Sequence, residues 1–134
     1  MKKQAQKPRP PKAAVAAKIA LPALKKGEIY VGGTIDVGGK VTHTILLPGE
    51  NADVGWKDAM AWAKKEGGDL PNRIEQAILW AHHAAKFQKR SYWSNAQFAG
   101  LDAYAWGQSF GNGGQDIWRK GIKRMARAVR RVTI

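Results

Sequence analysis

Aromatic side chains crowd one stretch of the chain: Tyr92, Trp93, Phe98, Tyr104, Trp106, Phe110 and Trp118. Directly after it come Arg119, Lys120, Lys123, Arg124, Arg127, Arg130 and Arg131, with no acid among them. Rings beside guanidinium and ammonium groups can make stacking platforms for sugars, bases or Arg-rich partners. Trp93, Trp106 and Phe110 are expected in the core. Phe98 and Trp118 lie among Gly and polar residues and are expected nearer the surface. Together with Asn95, Asp102, Asn112 and Asp116 they form the candidate ligand-binding loop residues.

Other chemistries fit the residues less well. His82 and His83 are neighbours, and on a helix neighbours point about 100° apart, so they cannot chelate one ion as an i, i+4 pair does. Asp53 with Asp58, and Glu66 with Asp69, resemble acid–base pairs, but helix ends account for them through capping and the helix dipole. No serine lies in a Gly-x-Ser-x-Gly elbow. The glycine pairs Gly32-Gly33 and Gly38-Gly39 and the run Gly111-Asn112-Gly113-Gly114 lack phosphate-loop spacing and read as turns and bulges. The chain has no cysteine, which excludes disulfides and thiolate chemistry. The expectation is a non-enzymatic chain that uses no cofactor or metal.

Charge is unevenly spread. The net charge is +13. Residues 1–26 hold Lys2, Lys3, Lys7, Arg9, Lys12, Lys18, Lys25 and Lys26 without an acid. The C-terminal run from Arg119 holds seven more cations without an acid, and the stretch between, which holds every acid of the chain, is nearly neutral. Such asymmetry implies a polyanion or an acidic protein surface as partner, with nucleic acid as one form of it. The candidate polyanion contacts are Lys2, Lys3, Lys7, Arg9, Lys12, Lys25 and Lys26 in the arm, and the seven cations from Arg119 to Arg131. No apolar run is long enough to span a bilayer, so membrane insertion is not expected.

These residues need elements to hold them. Residues 1–26 read as a basic Pro/Ala-rich arm, extended at Lys7-Pro8-Arg9-Pro10-Pro11-Lys12. Residues 27–134 read as one domain. Residues 28–36 and 40–47 read as a β-hairpin turning at Gly38-Gly39. Trp56 to Glu66 reads as an amphipathic helix, capped by Asn51 or Asp53 and stopped by Gly67-Gly68. Asn72 to about Phe87 reads as a second helix. Asn72 and Glu75 match a capping box, and Ile74, Ala77, Ile78, Ala81 and Ala85 supply its buried stripe. Residues 92–94, 104–110 and 126–132 read as short strands, although the last segment also fits a helix. The fold class is therefore α+β.

Five strings occur in order: Trp56-Lys57-Asp58-Ala59; Leu70-Pro71-Asn72-Arg73-Ile74-Glu75; Tyr92-Trp93-Ser94; Ala105-Trp106-Gly107-Gln108-Ser109-Phe110; and Arg127-Ala128-Val129-Arg130-Arg131-Val132. The series resembles the Lcl C-terminal-type family, a family of unknown function, over roughly residues 27–132. The resemblance implies a C-type-lectin-like fold, with paired N- and C-terminal strands, two flanking helices and a long ligand-presenting loop region. It also implies a structural role for Arg73 and Glu75, and a phage or prophage accessory protein, resident in the bacterial cytoplasm or on a virion. The Glu-Pro-Asn and Trp-Asn-Asp strings of calcium-dependent lectins are absent. Pairing of the terminal strands would bring Lys25 and Lys26 beside Arg130 and Arg131 in one basic patch. The readings that follow are a binding protein for a protein, glycan or other polyanion, a nucleic-acid binder, a virion component, and an inhibitor of a host defence complex.

Overall fold

The computed structural model describes residues 20–134. Strand β1 (Ile29–Ile35) and strand β2 (Val41–Leu46) form the expected hairpin. Asp36 closes its turn by accepting the Gly38 and Lys40 amides, both at 2.9 Å, while Gly39 takes φ 85°. Strand β3 (Asn51–Val54) leads into helix α1 (Trp56–Lys65), and helix α2 (Arg73–His83) ends in a single 3-10 turn, Ala84–Lys86. Strands β4 (Ser91–Gln97), β5 (Tyr104–Ser109), β6 (Gln115–Arg119), β7 (Arg124–Ala126) and β8 (Val129–Thr133) complete an α+β fold. The strands make two sheets, ordered β1-β2-β8 and β3-β7-β4-β5-β6.

Several expectations need correction. The stretch 126–132 is not one strand. It is the end of β7 and most of β8, which lie in different sheets on either side of Arg127-Ala128. The final strand does return to the first hairpin, but it pairs with β2, leaving β1 at the edge. Asn51 and Asp53 do not cap α1. They belong to β3, and the cap position is Gly55, whose lack of a side chain leaves the first turn without a capping acceptor.

Helix α2 begins as its sequence dictates. The Asn72 side chain accepts the Glu75 amide at 2.7 Å, and the Glu75 carboxylate accepts the Asn72 amide at 2.8 Å. Its buried face is not the apolar stripe. Ile74, Ala77, Ala81 and Ala85 are exposed and Ile78 is half-buried, whereas Glu75, Gln76 and Leu79 are buried. Polar bonding sets this rotation. Glu75 accepts from Thr44 Oγ1 (2.6 Å), from Arg131 Nε (2.8 Å) and Nη2 (2.7 Å), and from its cap, which fills a carboxylate's acceptor capacity. The Gln76 amide donates to the Tyr92 and Trp93 carbonyls at 3.3 and 3.1 Å.

The core has two parts. Under α1, Ala59 and Ala63 stand one turn apart, and their small side chains let the helix approach Leu70, Ala105 and the fully buried Trp93. The Trp93 indole donates to the Val54 carbonyl at 2.8 Å, so its burial leaves no orphan donor. Under α2, Val31, Leu46, Leu79, Tyr92, Phe110, Met125 and Val129 pack together. Gly68, just after α1, meets Val129 of β8: a Cβ there would lie 2.1 Å from the Val129 carbonyl oxygen.

Candidate polyanion interface beside the start of helix α1

The C-terminal cations divide into two groups with different surroundings. Neighbouring residues on β8 point to opposite faces of the sheet. Arg130 donates to both oxygens of Glu28 at 2.9 and 2.8 Å, and to the Ala23 carbonyl at 3.0 Å. This bonding holds the Glu28 carboxyl down at about 2. Arg131 is bound by Glu75 and, at 2.8 Å, by Asp69. Its bonds to Glu75 push its own pKa upward against the opposing effect of burial. Arg127 donates to the Lys86 and Leu47 carbonyls at 2.7 and 2.9 Å, and burial lowers its pKa. These three arginines hold the fold together.

The expected patch of Lys25, Lys26, Arg130 and Arg131 is therefore only partly assembled. Lys25, Lys26 and Arg130 line one hollow with Glu28 and Glu66, so acids offset the charge there. Arg131 is engaged on the other face of β8.

Arg119, Lys120, Lys123 and Arg124 are placed differently. They flank the β6–β7 turn, and none of them forms an ion pair among the described residues. Aromatic rings support three of them instead. Arg119 lies 5.2 Å from the Tyr104 ring centroid, Lys120 4.7 Å from that of Trp56, and Arg124 4.5 Å from that of Trp118. The ring quadrupole attracts the cation without neutralising it, and the Lys120 ammonium also donates to Gln97 Oε1 at 2.5 Å. The Trp56 amide donates to the Lys120 carbonyl at 2.8 Å, tying the start of α1 to the turn and bringing Lys57 alongside. Two adjoining hollows share Lys57, Lys120 and Gly121; Arg119 lines one and Lys123 the other. The positive end of the α1 dipole adds to this field, and Asp58 and Asp102 on the rims subtract from it.

The candidate loop residues do not converge. Asn95 donates to Asp69 at 2.9 Å and is part of the Arg131 network. Asn112 accepts the Gly114 amide in the β5–β6 turn, and Asp116 accepts the Ile117 amide. Asp102 precedes β5, at the opposite end of that hairpin, and accepts from Gln97. Trp118 is half-buried, edge-on to Trp93 at 5.7 Å, and fills the space left by Gly107. Phe98 is half-buried against Trp106, also at 5.7 Å. Trp93 and Phe110 are core, but Trp106 is only half-buried, with the Arg73 guanidinium 3.5 Å above its ring. Lys57 and Tyr104 join this surface through the docking of α1 and the β5–β6 register, and Arg73 with Trp106 lies along the same hairpin towards Gln115, placements that spacing along the chain does not reveal.

Among the described residues no three His, Asp or Glu side chains gather where they could hold a metal ion, and no helix is long and apolar enough to cross a membrane. His43 is buried with its Nδ1 2.6 Å from Tyr30 Oη, and His83 Nε2 lies 3.0 Å from the Val31 carbonyl oxygen. Lys2, Lys3, Lys7, Arg9 and Lys12 fall outside the described residues. Neither the family models nor the curated proteins contain a match to this chain.

Proposed function

We propose that this chain is a non-enzymatic binding protein of the phage-accessory kind, built on a C-type-lectin-like scaffold, whose working surface takes up a polyanion. The scaffold reading is supported by the return of the last strand to the first hairpin and by the two helices, while residues 91–119 form an antiparallel meander of β4, β5 and β6 in place of the long loop region that the resemblance implies. The observation that carries the binding reading is the division of the C-terminal cations. Arg127, Arg130 and Arg131 are consumed by acids and carbonyls, while Arg119, Lys120 and Lys123, joined by Lys57 of α1, stand together without ion pairs among the described residues. Holding like charges close is unfavourable unless a partner offsets the repulsion, and a polyanion does so while releasing its counterions.

Heparin is a suitable first probe, because it is densely charged and carries no bases. At about 50 mM salt the chain is expected to bind it, with affinity falling steeply as salt rises. The triple variant Lys57→Gln, Lys120→Gln, Lys123→Gln should weaken binding and flatten the salt dependence. Lys64→Gln with Lys65→Gln, on the exposed end of α1, should change little. Absence of binding at low salt, or equal losses in the two variants, would refute the assignment.

A further inference from the structure

The outward face of the β5–β6 hairpin carries a pattern that charge alone does not explain. Alternation along β5 sends Ala105 and Gly107 inward, where Ala105 joins the core and Gly107 meets Trp118. Tyr104 and Trp106 therefore point outward. A guanidinium stands over each: Arg73, from the first turn of α2, in contact with Trp106 at 3.5 Å from its centroid, and Arg119, the sheet partner of Tyr104, at the longer distance of 5.2 Å from that ring's centroid. The two cation–ring pairs are two residues apart on one strand, about 7 Å. Phe98 buttresses Trp106 edge-on. Gln115 fixes the Arg73 stack by accepting from its Nε at 3.1 Å and donating to its carbonyl at 2.7 Å. Both arginines are exposed, and neither forms an ion pair among the described residues. The row runs from Arg73 through Arg119 to Lys120, whose ammonium is held by Gln97 at 2.5 Å.

We propose that this face is a track for single-stranded nucleic acid, with unpaired bases stacking on the guanidinium–ring pairs of Arg73/Trp106 and Arg119/Tyr104, and phosphates meeting Lys120 and Lys57. The inference rests on the polyanion reading of the adjacent turn and names its partner. Guanidinium planes and aromatic rings both accept a stacked base. In a duplex the base faces are already occupied. A sulfated glycan or an acidic protein surface meets these arginines through its oxyanions and has no flat aromatic face to lay on a guanidinium–ring pair.

The test compares three probes by fluorescence anisotropy at matched salt: an oligothymidylate longer than the roughly 4–16 nucleotides a small domain covers, a duplex of equal length, and a heparin fragment. The oligothymidylate should bind most tightly. The double variant Arg73→Lys, Arg119→Lys keeps both charges and removes both stacking planes. It should weaken oligothymidylate binding roughly tenfold and leave heparin binding within a factor of about two. Circular dichroism establishes that the variant is folded. The single variant Arg119→Lys lies away from the Arg73–Gln115 bonds and should give a smaller loss in the same direction. If heparin or duplex binds as tightly as the single strand, and the variants leave all three affinities alone, the track is refuted while the polyanion reading stands. If none of the three probes binds, both fall.

Discussion

Glu75 offers the sharpest test of how the C-terminal arginines are used. Its carboxylate is 3 % exposed and holds Arg131, Thr44 and the α2 cap together. Glu75→Gln keeps the volume and removes the charge. It turns one accepting oxygen into a donor that faces other donors, so at least one buried group loses its partner. Removing one member of a buried ion pair costs about 3–5 kcal/mol. Asp69 still neutralises Arg131 here, so the lower end, about 3 kcal/mol, is expected. That is a large share of the 5–15 kcal/mol typical of a domain's stability, taken as an order of magnitude. Urea unfolding followed by far-UV circular dichroism measures it, as a shift in midpoint with little change in slope. The double variant Glu75→Gln, Arg131→Met should be less destabilised than the sum of the two single losses, because the second substitution removes the charge stranded by the first. A loss below about 1 kcal/mol for Glu75→Gln, or simple additivity in the cycle, would refute a structural role for Arg131 and return it to the candidate binding surface.

Glu28 makes a prediction in pH. Its carboxyl is held at about 2 rather than 4.5, chiefly by the hydrogen bonds from Arg130. A depressed folded-state pKa gives stability that is complete above the unfolded value and is lost as pH falls from about 4.5 towards 2. Over that window the urea midpoint of the native chain should fall further than that of Glu28→Gln; parallel declines would count against the pair. Gly107→Ala should be severely destabilising, by about 3 kcal/mol or more, because the new Cβ would sit 2.1 Å from the Trp118 ring and 2.6 Å from the Tyr92 carbonyl oxygen. A thermal melt like that of the unaltered chain would show that β6 does not pack on β5 as described.

Local chemistry was the legible part of this sequence. Asn72 and Glu75 announce the α2 cap because both bonds lie within one turn, and Gly39 and Gly67 mark ends that need a left-handed residue. The first hairpin and both helices follow from such signals. What was hidden depended on distant partners. Strand β3 is four residues long, and Asp53 takes φ 54°, so no alternation exposes it. The apolar positions of α2 predicted the wrong face, since periodicity counts only apolar residues. Here Thr44 on β2 and Arg131 on β8 lie 31 and 56 residues away and draw Glu75 inward.

The same logic governs the candidate site. A run of arginines and lysines looks uniform in a sequence, yet the fold sorts it by what lies opposite each member. Glu28, Asp69 and Glu75 are acids from the nearly neutral middle of the chain, and they face β8, so Arg130 and Arg131 there become structural. Around the β6–β7 turn the facing groups are instead rings from β5, β6 and the start of α1, which attract cations without neutralising them. Net charge in the sequence therefore overstated the basic surface at β8 and understated it at the turn, where Lys57 joins from the start of α1. Rings that hold cations in place also reduce the conformational entropy lost when a partner arrives, which favours binding by a preorganised surface. Exchanging Arg124 for Glu would set that apart from charge in general. It should disturb the Trp118 stack and reverse the local sign, lowering oligothymidylate affinity more than Lys26→Glu at the far hollow does. Equal effects would mean that only total charge matters.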